Sequence, residues 1–258
     1  MMKTPLLWAC IRAESDSVDD WIALVLALLT HGANVNVRDC YGDGVLGCLN
    51  DSSQSESIAQ LAPALFARGV REPRALINLT TDWTNIRLKY SGDFADLDEK
   101  LEPLFADDSV VSLKSAERSE LFENCVTQGF DRCAVVLFQK NFRPRTFDLT
   151  FCTQIAASTG CSRLLKVLRT FKSMIYAPAP FKQTALHLAC IHGNKDAALA
   201  LLNGTNERTA WISALDSLQT DAKNYAERWG TGRGMNAVVT RINEILAPPA
   251  AAPSAAAP

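Results

Sequence analysis

Two eight-residue segments that begin 180 positions apart share one register. Thr4-Pro5-Leu6-Leu7-Trp8-Ala9-Cys10-Ile11 and Thr184-Ala185-Leu186-His187-Leu188-Ala189-Cys190-Ile191 agree at Thr, Leu, Ala, Cys and Ile. Each leads into an apolar run, Ala23 to Leu29 in the first case and Ala197 to Leu202 in the second. A recurrence of this kind constrains the fold more than composition does. A short turn-and-helix unit cannot bury its own apolar face, so repeated units must stack on one another. Glycines at Gly92, Gly129, Gly160, Gly193 and Gly230 are spaced by 37, 31, 33 and 37 residues. Three of them precede apolar stretches of helical period: Leu97, Leu101 and Leu104 after Gly92, Cys133 to Phe138 after Gly129, and Leu164 to Leu168 after Gly160.

The pattern T-P-L-H-x-A is met closely at Thr184 to Ala189, and L-L-x-x-G-A-x-V-N at Leu28 to Asn36. Together they resemble the ankyrin repeat, whose period is about 33 residues. The resemblance implies an all-α chain: an ankyrin-like repeat solenoid of stacked helix-turn-helix pairs with short hairpin or turn tips. Seven units are expected, at about 1–38, 39–72, 73–112, 113–145, 146–179, 180–213 and 214–246, the third degenerate and the last a cap. Residues 247–258 contain only Ala, Pro and one Ser and are expected to form a disordered tail. Cys10 to Leu29 spans 19 residues where Cys190 to Leu202 spans 12. The seven extra residues, Glu14 to Asp20, are expected as an acidic loop between the helices of the first unit.

The expected core includes Leu6, Ala9, Leu26, Leu29, Leu137, Leu165, Leu168, Leu186, Ala189 and Leu202, with small residues at Ala9, Ala157 and Ala189 where helices approach closely. The eight cysteines form no C-x-x-C pair and no finger spacing with His31, His187 or His192. They read as small, buried, reduced thiols in a cytoplasmic protein, the nucleus being open as an alternative. His187 reads as a structural residue of the turn, His31 as a polar helix end, and His192 as part of an exposed turn.

No nucleophile elbow, P-loop or dinucleotide fingerprint occurs. Gly230-Thr231-Gly232-Arg233-Gly234 lacks the lysine and preceding strand of a P-loop and reads as the turn of the last helix pair. Asp19, Asp20, Asp107 and Asp108 read as solvated loop carboxylates. No catalytic, cofactor-binding or metal-binding residue is therefore assigned. With 26 basic and 28 acidic residues in 258, the chain lacks a global field for nucleic acid. Its most apolar run is nine residues, short of the ~20 that a membrane helix needs.

By the resemblance, function reduces to a non-catalytic scaffold or adaptor, expected to be monomeric, that binds a protein partner through repeat tips and a concave helix face. The tips mix charge with aromatic rings, a composition favoured in binding hot spots. The candidate contacts are Arg12, Arg38, Asp39, Tyr41, Asp43, Arg143, Arg145, Phe147, Phe181 and Lys182. Two alternatives stand beside this reading: a host-directed effector on the same scaffold, and an enzyme with its site in 73–112, which a desolvated acid in an enclosed pocket would favour.

Overall fold

The computed structural model describes residues 4–11, 18–51, 61, 64–65, 67–70, 72–81, 94–145, 149–169, 182–203, 212–216 and 218–247. The chain divides into two compact units, Met1–Asp148 and Leu149–Pro258. Among the described residues there is no strand.

In the first unit the helices are α1 (Pro5–Ile11), α2 (Val18–Thr30), α3 (Val45–Asp51), α4 (Pro73–Thr81), α5 (Phe94–Ala106), α6 (Ser115–Gln128) and α7 (Asp131–Gln139), with a 3-10 turn at Asp108–Ser112. One row of packed helices runs α1, α3, α4, α6; α2 packs behind α1, and α7 packs on both α5 and α6. The second unit contains α8 (Leu149–Thr159), α9 (Ser162–Leu168), α10 (Ala185–Ile191), α11 (Lys195–Leu202), α12 (Ala222–Trp229) and α13 (Asn236–Leu246). Here α8, α10 and α12 form one row and α9, α11 and α13 the other.

The turn inside each helix pair recurs. Gly129, Gly160 and Gly193 are left-handed, at φ 85°, 88° and 67°. The following N–H reaches back to a carbonyl in the last turn: Phe130 to Cys125 (2.8 Å), Cys161 to Ala156 (2.8 Å) and Asn194 to Ala189 (2.8 Å). Glycine enters this conformation without the Cβ clash that penalises other residues. In the last pair the left-handed glycine is Gly234 (φ 67°), after a 3-10 turn at Gly230–Arg233. α12 therefore ends at Trp229, and the Gly230–Gly234 stretch forms the turn of the last pair, with its left-handed residue four positions after Gly230.

Within each unit, neighbouring helix pairs also finish one another's helix ends. The Glu72 carboxylate accepts the N–H groups of Leu46 (3.4 Å) and Gly47 (3.3 Å) at the start of α3. Asp98 on α5 accepts those of Arg132 (2.7 Å) and Cys133 (3.2 Å) at the start of α7. Asn194 donates to the Ala157 and Ser158 carbonyls at the end of α8 (2.9 and 2.7 Å). Trp229 and Arg233 donate to the Ile191 and His192 carbonyls at the end of α10 (2.8 and 2.6 Å). A helix of seven to nine residues leaves most of its terminal N–H and C=O groups without internal partners, so borrowed caps satisfy much of the backbone.

The expected core is buried throughout except at Leu26, which is 37% exposed. On α2 the inward residues are Trp21, Ile22, Val25 and Leu29, one stripe at i, i+1, i+4, i+8. Leu26 lies off that stripe. Seven of the eight cysteines are buried and none is in a disulfide, but Cys40 is exposed. Val18 to Asp20 belong to α2 and not to a loop, and Asp107 caps the 3-10 turn through the Ser109 N–H (2.8 Å). Asp108 pairs with Lys140 (2.7 Å).

Candidate protein-binding surface

Two of the tips are each built on one aspartate. Asp39 Oδ1 accepts the N–H groups of Tyr41 (2.8 Å) and Asp43 (3.0 Å). The backbone closes the loop through Asp39 N–H to Asp43 O (2.8 Å) and Gly42 N–H to Asp39 O (3.1 Å). Arg38 Nη1 adds a bond to the Gly42 carbonyl (2.7 Å). This turn spends its polar groups on itself and leaves the Tyr41 ring 78% exposed. Tyr41 therefore does not serve as packing between turns.

The second unit repeats the construction without a glycine. Asp216 Oδ1 accepts the N–H groups of Leu218 (2.8 Å) and Thr220 (3.0 Å). Asp216 N–H donates to Thr220 O, and Gln219 N–H to Asp216 O (both 3.1 Å). Leu218, matching Tyr41, is 75% exposed. Asp216 is buried; burial acts to raise its pKa, but the Thr220 N–H, the Tyr225 hydroxyl (2.7 Å) and the Leu218 N–H hold it below the usual range. Left-handed residues precede the helix N-cap by two positions in three tips: Gly42 (φ 88°), Lys182 (φ 53°) and Gln219 (φ 58°). Sequence reasoning missed Leu218; aligning Asp39-Cys40-Tyr41-Gly42 with Asp216-Ser217-Leu218-Gln219 was the available signal.

Beside the first tip lies a groove of about 1070 Å³. Arg38, Tyr41, Gly42, Asp43 and Gly44 come from the tip, Gly47 from α3, and Pro73, Ala75 and Ile77 from α4. Ser109, Ser112, Leu113 and Lys114 form the far side with Glu117 and Glu120 of α6. Glu72 is buried in its floor, its pKa raised by desolvation against the opposing pull of the Gly47 and Leu46 N–H groups and the Arg38 charge. A Cβ on Gly44 would overlap that carboxylate. A separate apolar depression of about 680 Å³ lies on α1 and α2, lined by Pro5, Trp8, Trp21, Leu24 and Leu28 among others.

Of the candidate contacts, Arg38, Tyr41 and Asp43 thus line one groove, and Asp39 is the anchor that shapes their turn. Arg143 faces inward. Its Nη1 donates to the Phe138 and Phe142 carbonyls (both 2.8 Å), and its guanidinium lies 3.9 Å from the Phe138 ring centre. That side chain closes the end of α7 and is a scaffold residue. Arg145 is exposed, its N–H held by Glu123 (2.5 Å). Lys182 is exposed at the left-handed tip position. Arg12, Phe147 and Phe181 lie outside the described residues, as do Gly92 and Trp83 to Tyr90.

The histidines take structural places. His187 is fully buried; its Nδ1 meets the Thr184 hydroxyl (2.8 Å) and N–H (3.2 Å), and its Nε2 meets the Thr220 carbonyl of the next tip (3.1 Å). A carbonyl partner at Nε2 calls for a proton there, which leaves Nδ1 as the acceptor of a neutral ring. Burial pushes its pKa down, only partly opposed by the Thr220 carbonyl and Asp216. His31 Nδ1 bonds the Ala27 carbonyl at the end of α2 (2.8 Å). Among the described residues of 94–108 the buried acid is Asp98, whose carboxylate is committed to the start of α7. Among the described residues no group of three or more His, Cys, Asp and Glu is arranged to hold a metal ion. No described helix is long and apolar enough to cross a membrane.

Family models describe residues 2–40 and residues 181–209 each as an ankyrin repeat. These two stretches contain the recurrent eight-residue segments. The solved human ASB11 ankyrin repeat domain aligns over 96% of this chain and 100% of its own, at 17% identity and a TM-score of 0.43. No curated protein sequence matches this one as a relative.

Proposed function

We propose that this ankyrin-repeat protein is a non-catalytic scaffold or adaptor that holds a protein partner by its repeat tips and the groove beside Tyr41. Ankyrin repeats are in general protein-interaction modules, presenting extended surfaces on a stacked framework. The observation that carries the reading here is the paired tips. One aspartate-anchored turn recurs in both units, and each copy displays a large apolar residue, Tyr41 or Leu218, to solvent. Exposed apolar side chains on a turn with satisfied polar groups lose little conformational freedom on binding. The proposed contacts are Arg38, Tyr41, Asp43, Arg145, Lys182 and Leu218.

Affinity capture with wild type beside Tyr41→Ala, Leu218→Ala and the double variant tests it. Both side chains are exposed, so the fold should stand. A hot-spot aromatic or leucine is worth about 1–2 kcal/mol or more, which predicts roughly tenfold or greater loss of the captured partner for the affected tip. Equal enrichment of the same proteins by wild type and the double variant would remove the tips from the interface.

A further inference from the structure

The groove beside Tyr41 is unevenly charged. It presents four carboxylates, on Asp43, Glu72, Glu117 and Glu120, against two cations, on Arg38 and Lys114. The inner charges are already answered: Glu72 is taken up by the start of α3, Arg38 by the Gly42 carbonyl, and one Glu117 oxygen by the Lys114 N–H (2.8 Å). Asp43 on the tip and Glu120 on α6 are different. Both are exposed, and neither carboxylate is bonded to or paired with any described residue. At about 1070 Å³ the groove reaches the upper end of the ~300–1,000 Å³ range of small-molecule pockets. Gly42 exposes bare backbone at the tip, with open space where a Cβ would stand, which lets another main chain come close. Tyr41 stands at the mouth with its ring face free to receive a guanidinium or ammonium.

We propose that this groove binds an extended segment of a partner protein carrying lysine or arginine, with Asp43 and Glu120 meeting its cations and Tyr41 covering their stems. The proposal rests on the tip-and-groove reading above. The whole chain carries a formal charge of only -2, so recognition is local and not steered by a global field. Opposite charges at an open surface are screened within about 8–10 Å at ordinary salt, so affinity should weaken as salt rises.

The test selects random twelve-residue peptides from a display library on the full chain, on Tyr41→Ala, on Asp43→Lys/Glu120→Lys, and on Asp196→Lys as a remote exposed-acid control. Wild type and the control should enrich Lys and Arg over the input, and a recovered peptide should bind the double charge-reversal variant at least tenfold more weakly in fluorescence anisotropy. Should the reversal disturb folding by circular dichroism, Asp43→Asn/Glu120→Gln replaces it, with a loss of at least threefold expected. Enrichment of neutral or acidic peptides that Tyr41→Ala still loses overturns the basic-segment proposal and leaves the groove in place. Peptides indifferent to Tyr41→Ala, or no enrichment at all, overturn both.

Discussion

Asp98→Ala asks whether caps lent between neighbouring helix pairs hold the first unit together. Asp98 is 4% exposed, and its carboxylate accepts two backbone N–H groups from the first turn of α7, at 2.7 Å to Arg132 and 3.2 Å to Cys133. Hydrogen bonds to a charged group contribute about 1.5–3 kcal/mol, and a buried donor left unsatisfied costs about 1–3 kcal/mol. Against this stands the burial of the carboxylate, which raises its pKa despite the Arg132 and Cys133 hydrogen bonds. Taking the shorter bond at full weight and the longer at less, the expected loss is about 2–4 kcal/mol. For a domain of this size that lowers Tm by roughly 5–15 °C. The sign of the pH dependence follows from the raised pKa. The folded state holds the Asp98 proton more tightly than the unfolded state. The pH-dependent part of its contribution is therefore greatest below the ordinary Asp value near ~3.9 and is lost as pH rises through the higher folded value, the hydrogen bonds to α7 remaining. The Tm difference between wild type and Asp98→Asn should shrink across that window and then level off. Amide exchange gives the local reading, because Cys133 should lose protection before distant helices do. Glu99→Ala supplies a contrast: the Glu99 side chain is 62% exposed in its pair with Arg132, so Tm should move far less. A melting temperature for Asp98→Ala within about 1 °C of wild type, with Cys133 exchange unchanged, would refute the reasoning.

Other consequences are equally direct. Lys182→Gly and Gln219→Gly each relieve a left-handed residue, and each should raise stability by about 0.5–1 kcal/mol in denaturant titrations, the backbone gain exceeding the entropy glycine adds to the unfolded chain. Gly44→Ala pushes a methyl into the Glu72 carboxylate and uncaps α3, an expected loss of about 1–3 kcal/mol; introduced into Glu72→Ala, which already lacks that carboxylate, the same change should cost far less. His187 is buried neutral with a lowered pKa, so its contribution is present above the unfolded value near ~6.5 and is lost as pH falls through the folded value; Tm should drop on acidification, and His187→Asn should flatten that slope. Leu26→Glu should change stability by less than about 0.5 kcal/mol, whereas Val25→Glu should unfold the first helix pair, as circular dichroism would report.

The repeat was legible because its signals are local. Thr184 and His187 lie within one turn of each other, and Gly129, Gly160 and Gly193 each end a helix by their own backbone angle. The rest depends on which face of a helix meets its neighbour. In Val25-Leu26-Ala27-Leu28-Leu29 every position is apolar, so no period separates the buried Val25 and Leu29 from the exposed Leu26. Only Trp21 and Ile22, a turn earlier on the same stripe, reveal the inward side. Asp98 was opaque for a different reason: its partners are 34 and 35 residues away, and no property of the intervening chain marks the acid as a helix cap.

The candidate site divides along the same line. Arg143 and Tyr41 both look like hot-spot residues by type, yet one closes a helix end and the other faces solvent. Residue type reports what a side chain is able to do, while the unoccupied capacity that a binding partner needs depends on what the local backbone has already claimed. At the tips that claim falls on Asp39 and Asp216, whose carboxylates organise the turn from positions two residues before Tyr41 and Leu218. The displayed side chain makes no contribution to the turn's closure; only its backbone N–H does. It is free to be tyrosine in one unit and leucine in the other while the hydrogen bonds stay the same. A motif search therefore recovers the anchors, which geometry keeps alike, and passes over the residues they display, where one unit of the array can differ from the next without loss of fold.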